Sequence, residues 1–276
     1  MNISQSETLF LDIPGGRLSY DLTGPADGPL VVCLPGMGDL RSAYRFTTAR
    51  LAAAGYRVAQ LDVRGHGESS TGWGRYGSDA CAEDALALIA HLGGPAVVVG
   101  HSATTASAIR AAASAPDRVT AIVLIAGFLN EVELNPVLKL AVAAVTRSAL
   151  LWTRGFYAGL YKAAKPEDFP AYLRRLQANM GEPGRLAALR GLLADAREGN
   201  AAIPGVTCPT LIVMGTADPD FPDPAAEARA QEQALGPYAS AVRVRLLDGA
   251  GHYPHAELPE QTAAAITGFL AEVVRA

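Results

Sequence analysis

The chain has 276 residues, of which 50% are hydrophobic and 18% are charged, and its formal net charge is −4. This composition excludes a disordered chain and predicts a well-packed globule, large enough for one α/β domain or for a core with an inserted subdomain. The slightly acidic balance gives no general attraction for polyanions, so we expect a small-molecule substrate and no nucleic-acid partner.

The sequence also bears on where the protein is located and on whether it contains disulfides or a metal site. No apolar stretch reaches the roughly 20 residues that a membrane span needs, and the first residues lack a basic region followed by an apolar core. An odd set of widely spaced cysteines, Cys33, Cys81 and Cys208, predicts neither a disulfide framework nor a metal site. Cys33 and Cys208 lie in or beside apolar runs and are expected to be buried. We therefore expect a cytoplasmic protein, either a monomer or a homodimer.

The first part of the chain alternates short apolar runs with helical patterns. Strands are predicted over 8–13, 17–22, 30–34, 56–63, 96–99 and 119–126, and helices over 41–54, 78–92 and 103–115. The sequence Pro14-Gly15-Gly16 predicts a hairpin turn between the first two strands. Ser78 is the expected N-cap of the second helix.

Residues 128–204 lack β-branched apolar runs and are rich in Ala, Leu and Arg. We interpret them as a helical cap inserted into a core made of residues 1–127 and 205–276, with helices over 136–152, 153–164, 170–179 and 184–198. The core pattern then resumes, with strands over 210–214 and 241–247 and helices over 224–235 and 258–276, the last with Pro259 in its first turn. This alternation predicts a mostly parallel sheet covered by helices on both faces.

One serine stands at the junction of a predicted strand and a predicted helix. The apolar run 96–99 ends at Gly100, Ser102 follows, and an alanine-rich helical pattern begins at Ala103. Such a sharp strand-to-helix turn exposes the serine hydroxyl and aims the next backbone N–H into a pocket. Ser102 is therefore the candidate nucleophile.

A serine nucleophile needs a histidine as base and a carboxylate that orients the histidine. His252 lies in a glycine-rich loop after the last predicted strand, and Asp218 follows the strand before it. The candidate order is Ser102, Asp218 and His252. The alternatives to Asp218 are the nearby acidic side chains of Asp220, Asp223 and Glu131.

An oxyanion hole needs backbone N–H groups that point to the position where negative charge develops. One candidate donor is Ala103, directly after the nucleophile. The second is Met37, in a loop where Gly36 and Gly38 let the backbone approach a substrate closely.

Three segments, residues 62–69, 100–104 and 251–260, resemble motifs of the α/β-hydrolase family, and the resemblance covers nearly the whole chain outside the proposed cap. Residues 62–69, DVRGHGES, are similar to the D-x-R-G-H-G-x-S segment of that family. Residues 251–260 resemble its histidine loop, G-H-x-x-x-x-E-x-P-E, and residues 100–104 resemble its nucleophile elbow, G-x-S-x-G. The resemblance implies an eight-stranded sheet, a helical lid after the sixth strand and no cofactor.

The chain departs from the family pattern at two positions. Thr104 replaces the last glycine of the elbow, where a β-branched residue is expected to tighten or reshape the turn. Pro35 replaces the histidine that is usual before the oxyanion-loop glycine, which changes the stiffness of the loop without removing its donor.

The remaining conspicuous side chains have structural alternatives. His66 and Arg64 are expected to brace their own loop, His255 to be structural or to lie at the pocket rim, His101 to point away from the nucleophile, and His91 to be exposed. The aromatic side chains of the cap are interpreted as core packing, with a pocket lining as the alternative. The candidate pocket residues are Gly36, Trp152, Phe156, Tyr157 and Tyr253.

The sequence as a whole predicts a serine hydrolase that cleaves a carboxylic ester or lactone of a small molecule through an acyl-enzyme. A thioesterase, a carbon–carbon bond hydrolase, a perhydrolase and an acyltransferase use the same groups and stay open. Serine rather than aspartate at the elbow disfavours epoxide hydrolase and haloalkane dehalogenase chemistry. A ligand-binding protein without turnover is the alternative of another class.

Overall fold

The structure, a computed structural model, describes residues 7–128 and 136–273. Its centre is an eight-stranded sheet with the strand order β1-β2-β4-β3-β5-β6-β7-β8. The strands are β1 (Leu9–Ile13), β2 (Gly16–Thr23), β3 (Leu30–Leu34), β4 (Arg57–Leu61), β5 (Ala96–His101), β6 (Val119–Ile125), β7 (Thr210–Gly215) and β8 (Val242–Leu247).

The sheet is mostly parallel, as predicted. β1 pairs antiparallel with β2, β2 pairs antiparallel with β4, and every pair from β4 through β3, β5, β6 and β7 to β8 is parallel. The carboxyl ends of the parallel strands therefore meet at one edge, where ligands bind in open α/β sheets.

Central strands are buried along their whole length because helices cover both faces of the sheet. Every residue of β3, β5 and β7 is buried, whereas burial in the edge strand β8 is incomplete. This is why the central strands appear in the sequence as unbroken apolar runs rather than as alternating patterns.

The core helices follow the predicted order. They are α1 (Arg45–Ala53), α2 (Ser78–Leu92), α3 (Thr104–Ser114), α7 (Pro224–Leu235), α8 (Pro254–Glu257) and α9 (Pro259–Val273). Three details differ from prediction. The short helix α8, which lies in the histidine loop before α9, was not predicted. The first helix is preceded by a 3₁₀ turn, Arg41–Tyr44, and the N-cap position of α2 is held by the extended residue Gly77, so Ser78 is the first helical residue and is buried.

The segment between β6 and β7 is helical but less regular than predicted. It contains α4 (Pro136–Val145), a π-helical segment (Leu151–Phe156), a 3₁₀ turn (Tyr157–Gly159), α5 (Phe169–Met180), α6 (Arg185–Asp195) and a second 3₁₀ segment (Ala196–Gly205). The predicted helices 136–152 and 153–164 are therefore wrong as continuous elements.

Two side-chain hydroxyl groups bond to the backbone around the break that follows α4. The Ser148 hydroxyl accepts a hydrogen bond from the Leu151 N–H at 3.3 Å, and the Thr146 hydroxyl donates to the Val142 carbonyl at 2.7 Å. Such side-chain bonds offer the backbone an alternative to the regular helix. We retain residues 128–204 as a proposed cap.

A second hydrophobic cluster joins this segment to the core. Leu40, Ala43, Tyr253 and Ala256 from the core pack with buried aromatic and aliphatic side chains of the β6–β7 segment: Trp152, Tyr157, Leu160, Tyr161, Phe169, Tyr172, Leu176, Met180 and Leu189. The prediction of core packing is confirmed for Trp152, Tyr157 and Tyr161, whereas Phe156 is exposed.

Two smaller expectations have different outcomes. Cys33 is buried in β3 as predicted, but Cys208 is only half-buried because it precedes β7 at the amino end of the sheet rather than within a strand.

Among the described residues, none of the helices has the length and apolar character that crossing a bilayer would require.

The tight packing of α3 against β5 depends on Gly100. A Cβ atom at this position would lie 2.5 Å from the Thr104 carbonyl oxygen, and backbone cannot move aside cheaply. We expect Gly100→Ala to lower the free energy of unfolding by about 1–3 kcal/mol, as overpacking does. Chemical denaturation measures this change.

Gly268 is the matched control. It is exposed within α9, and a Cβ atom there would meet nothing within 4 Å. Gly268→Ala should raise the free energy of unfolding by about 0.5–1 kcal/mol, because alanine loses less backbone entropy in a helix. Equal effects at the two positions would contradict this account of the elbow.

Candidate active site

Ser102 occupies a sharp turn between β5 and α3. Its backbone φ is 53°, in the left-handed region that non-glycine residues rarely adopt. Its N–H donates to the Ile125 carbonyl at 2.9 Å, which fixes the turn to the end of β6. The residue is 6% exposed. The backbone strain that a serine accepts here is typical of a functional position.

Thr104, the departure from the family pattern, holds this turn together. Its hydroxyl accepts a hydrogen bond from the His101 N–H at 2.9 Å and lies 2.9 Å from the carbonyl oxygens of both His101 and Leu34. Leu34 is the last residue of β3, so one side chain joins the elbow to the start of the loop that carries Met37. A glycine at position 104 has no group that makes this connection.

His252 and Asp218 meet at the carboxyl edge of the sheet. His252 Nδ1 lies 2.8 Å from Asp218 Oδ2, and both side chains are buried. Asp218 Oδ1 accepts from the Asp220 N–H at 3.0 Å, which orients the carboxylate. Asp220 Oδ2 is farther from His252 Nδ1, at 3.6 Å.

Asp223 and Glu131 were the other candidate carboxylate partners of His252. Asp223 accepts from the Ala226 N–H as the N-cap of α7. Glu131 lies outside the described residues. Among the carboxylates that the structure describes, Asp218 makes the shortest contact with His252.

The electrostatic surroundings make His252 a stronger base than usual. Burial opposes its protonation, but the charge of Asp218, its hydrogen bond and the more distant charges of Asp220 and Glu257 outweigh that effect, so the pKa of His252 lies above its ordinary value. A carboxylate on Nδ1 also leaves Nε2 as the nitrogen that can accept a proton.

Asp218, Asp220 and His252 have donor atoms within 4.8 Å of one another, a spacing that a metal ion can span. Two ligands of one tetrahedral zinc ion lie about 3.3 Å apart, given metal–ligand distances near 2 Å. The 2.8 Å between His252 Nδ1 and Asp218 Oδ2 instead matches a hydrogen bond.

His101 links the elbow to the histidine loop. Its Nε2 lies 2.8 Å from the His252 carbonyl oxygen, so its side chain points away from the nucleophile as predicted. Within the described part of the chain, Ser102 and His252 form no hydrogen bond with each other. Catalytic contacts of this kind are often looser in a free enzyme and tighten with substrate.

Glu257 holds the loop that carries His252 in place. This buried carboxylate accepts hydrogen bonds from the backbone N–H groups of Gly251, Tyr253, Lys162 and Ala163 at 2.7–3.1 Å. It is the glutamate of the family-like histidine motif. Its position explains the motif, because one side chain joins the loop of His252 to the β6–β7 segment.

The 36–38 loop lies directly beside the elbow. A Cβ atom on Gly36 would lie 2.8 Å from His101 Nδ1 and 3.3 Å from the Ser102 Cβ atom, so a larger residue would have to displace the His101 ring. In the described residues, neither the Met37 N–H nor the Ala103 N–H donates to a protein acceptor. Two backbone donors beside the candidate nucleophile are thus free for a ligand.

His66 supports this loop rather than taking part in chemistry. Its Nε2 accepts from the Gly38 N–H at 3.0 Å, which places its proton on Nδ1 beside the Arg64 carbonyl. Burial lowers the pKa of His66 to about 4, so the ring is neutral. Arg64 forms two hydrogen bonds with Asp84, at 2.8 and 2.6 Å. His66 Nδ1 also ties the ring to the Arg64 carbonyl, and Arg64 ties the 62–69 segment to α2, so both residues brace their own loop, as predicted.

His255 and His91 also lie where the sequence placed them. His255 is fully buried and stacks on Tyr44 with ring centroids 4.5 Å apart, which is a structural position. Burial lowers its pKa to about 3. His91 is exposed near the end of α2.

The candidate pocket residues take different positions. The Trp152 indole N–H donates to the Gly38 carbonyl at 2.8 Å and covers the loop. Tyr157 is fully buried, and its hydroxyl lies 3.2 Å from both carboxylate oxygens of Asp39. The Tyr253 ring packs between the rings of Tyr157 and His101. Tyr157 is thus placed in a polar cluster rather than on an open surface.

Phe128 and Phe221 are neighbours of the site that the sequence analysis missed. Their rings are 4.8 Å apart, and the Phe128 ring centroid lies 6.0 Å from that of His252. Both follow the carboxyl end of a strand, β6 or β7, closely. Their positions in the sequence, shortly after predicted strands, could have indicated both residues, because side chains that follow these strands meet at the edge of the sheet that binds ligands.

A polar cleft of about 640 Å³ lies away from these residues. It separates β2 and β4 from α1 and α5, and its wall includes Gln60, Thr48, Arg45 and Arg175. Ser102, Asp218 and His252 do not line it. The candidate site is the place where a nucleophile, a base and backbone donors converge, because chemistry depends on converging groups rather than on the size of a cleft.

The role of Thr104 can be tested by removing only its hydroxyl. Thr104→Val leaves the His101 N–H and the Leu34 carbonyl without this partner, so we expect unfolding free energy to fall by about 1–3 kcal/mol. Thr104→Ser keeps the hydroxyl and should be affected less. Calorimetry of both variants measures the difference, and an equally stable valine variant would contradict the bridging role.

Comparison with known proteins agrees with this fold. The model of the alpha/beta hydrolase family matches residues 31–265. The 2-(acetamidomethylene)succinate hydrolase of Mesorhizobium japonicum is 29% identical over 266 residues, which cover 92% of each chain.

Solved structures give the same result. A thermophilic esterase from Thermogutta terrifontis is 25% identical with a TM-score of 0.77, covering 97% of this chain and 99% of that one. The enol-lactonase from Burkholderia xenovorans has a TM-score of 0.78 at 22% identity, covering 95% of this chain and 100% of that one. The chain is a hydrolase that belongs to the alpha/beta hydrolase family.

Proposed function

We propose that this hydrolase cleaves a carboxylic ester or lactone of a small molecule through an acyl-enzyme on Ser102. The observation that carries the proposal is the buried Asp218–His252 pair on the same sheet edge as a positive-φ serine. Beside that serine lie the Met37 and Ala103 N–H groups, which have no protein acceptor among the residues that the structure describes.

In the proposed mechanism, His252 Nε2 takes the proton of the Ser102 hydroxyl as its oxygen attacks the carbonyl carbon of the substrate. Asp218 holds the ring and stabilises the imidazolium. The Met37 and Ala103 N–H groups donate to the oxyanion. His252 then gives its proton to the leaving alcohol, and a water molecule, deprotonated by His252, releases the acid and restores Ser102.

The comparisons support a carboxylic-acid derivative as the substrate class. Two similar structures are named an esterase and an enol-lactonase, and one similar protein is named 2-(acetamidomethylene)succinate hydrolase. Thioester, carbon–carbon bond and peracid chemistry, and acyl transfer to an alcohol, use the same groups and are the alternatives. A binding protein without turnover is the alternative of another class. A cytoplasmic location and a monomeric or homodimeric state stay proposals.

The nucleophile is tested directly with short p-nitrophenyl esters. Ser102→Ala should reduce turnover by at least about 10⁴-fold, because the covalent step is lost while the fold is unchanged. A fluorophosphonate should label the wild type at Ser102 and leave the variant unlabelled. Retained turnover in Ser102→Ala would sink the assignment, and a folded wild type that is neither labelled nor active on ester and thioester panels would favour a binding protein.

The pH profile tests the base. Because the pKa of His252 is raised above its ordinary value of 6.5, kcat/KM should fall as the pH decreases through that raised pKa. Asp220→Asn removes a negative charge that favours the protonated ring, so this acid limb should move to lower pH. Asp223→Asn, a change of the same kind on the same loop, should leave the limb in place. Identical profiles for both variants would contradict the electrostatic assignment.

A further inference from the structure

Asp39 is a buried carboxylate that the proposed mechanism does not use. It directly follows Gly38, the last residue of the 36–38 loop, and has no exposed surface. Burying a carboxylate costs free energy unless the carboxylate is well paired. The groups that pair with Asp39 therefore indicate what this side chain does in the fold.

Three donors surround this carboxylate. The Leu40 N–H donates to Asp39 Oδ1 at 2.8 Å, the Tyr157 hydroxyl lies 3.2 Å from each oxygen, and the Tyr172 hydroxyl donates to Oδ1. Tyr157 belongs to the 3₁₀ turn and Tyr172 to α5, so both hydroxyls come from the β6–β7 segment.

The charge state fixes the direction of these bonds. Burial raises the pKa of Asp39 to about 6, against the opposing effects of Tyr172, Leu40, Tyr157 and the charge of Arg45 on α1. Burial also raises the pKa of Tyr157 and Tyr172, and the charge of Asp39 raises it further. At pH 8 the carboxylate is therefore ionised and only accepts, while both hydroxyls donate.

The same segment holds the neighbouring residue of the loop. The Gly38 carbonyl accepts from the Trp152 indole N–H at 2.8 Å, and the Gly38 N–H donates to His66 at 3.0 Å. A side chain on Gly38, whose φ is 65°, would collide with the Trp152 ring. The chain is thus fixed at positions 38 and 39, directly after the free Met37 N–H.

We propose that Asp39 is a positioning residue, which ties the Tyr157 and Tyr172 hydroxyls of the β6–β7 segment to the 36–38 loop and thereby holds the Met37 N–H in place for the oxyanion. This inference rests on the proposed function of Ser102. It assigns the β6–β7 segment a part in transition-state stabilisation. Asp39 itself, with no exposed surface, acts through the loop rather than on the substrate.

Single-atom changes at the tyrosines test this role at pH 8. Tyr172→Phe and Tyr157→Phe each remove one donor to Asp39, and Tyr161→Phe is the matched control. Tyr161 is buried in the same cluster, and its hydroxyl lies 3.3 Å from that of Tyr157. It makes no hydrogen bond to Asp39 among the described contacts.

The expected result is a loss in kcat of about tenfold or more for Tyr172→Phe, with KM within about twofold. A misplaced oxyanion donor costs transition-state rather than ground-state binding. Tyr161→Phe should stay within about twofold of wild type. Asp39→Ala should lose at least as much as Tyr172→Phe, and Asp39→Asn should recover part of it, because the amide oxygen still accepts from Tyr172 and Leu40.

A second readout does not depend on turnover. Amide hydrogen exchange at Gly38 should accelerate in Tyr172→Phe and Asp39→Asn, whereas exchange at Thr105, whose N–H donates to Ser102 within the elbow, should not change. Equal kcat losses in Tyr161→Phe, a rise in KM alone, or unchanged exchange at Gly38 overturns the positioning role. An unlabelled, inactive wild type would overturn the proposed function instead, and the two failures are thus distinguishable.

Discussion

The hydroxyl of Thr104 is the connection on which the arrangement of the site depends. It contacts the last carbonyl of β3 and both backbone groups of His101, so it joins the loop of Met37 to the turn of Ser102. β3 and β5 are already paired in parallel, with Leu34 opposite Gly100. The hydroxyl adds a contact at Leu34, the last residue of β3, where the ladder of backbone hydrogen bonds between the two strands ends. A nucleophile and a backbone donor that act on one carbonyl group require such a fixed separation.

The 36–38 loop is held from several directions. Thr104 and Tyr44 bind the carbonyl of Leu34 before it, His66 binds the N–H of Gly38, and Trp152 binds the carbonyl of Gly38. Asp39 adds the two tyrosine hydroxyls of the β6–β7 segment. Within this set of contacts, the Met37 N–H stays free, which is the property an oxyanion donor needs.

The loop that carries His252 is also held by hydrogen bonds from several elements. Glu257 collects four backbone N–H groups from the loop of His252 and from the β6–β7 segment. His101 bonds to the carbonyl of His252. The helical segment therefore contacts both the donor loop and the base loop, so a movement of the segment would disturb both sides of the proposed site together.

Much of this architecture follows from the sequence. Buried runs such as 30–34 and 210–214 predict central strands because a parallel sheet covered on both faces has no polar side, and the order Ser102, Asp218, His252 follows from their positions after strands. The details that depend on tertiary contacts were not predictable. Nothing local distinguishes Asp39 from a solvated loop aspartate, since its partners Tyr157 and Tyr172 are more than a hundred residues away. The break after α4 depends on Ser148 and on where Trp152 docks, and the role of Thr104 depends on a strand that is 70 residues earlier.

A crystal structure of the chain after reaction with a p-nitrophenyl phosphonate would show directly whether Ser102 is the nucleophile and whether the Met37 and Ala103 N–H groups bind the oxyanion. We expect a phosphorus atom bonded to Ser102 Oγ, with one phosphonyl oxygen within hydrogen-bond distance of both the Met37 and the Ala103 N–H and with His252 Nε2 beside Oγ. An adduct on another residue, or a phosphonyl oxygen that faces away from both N–H groups, would contradict it.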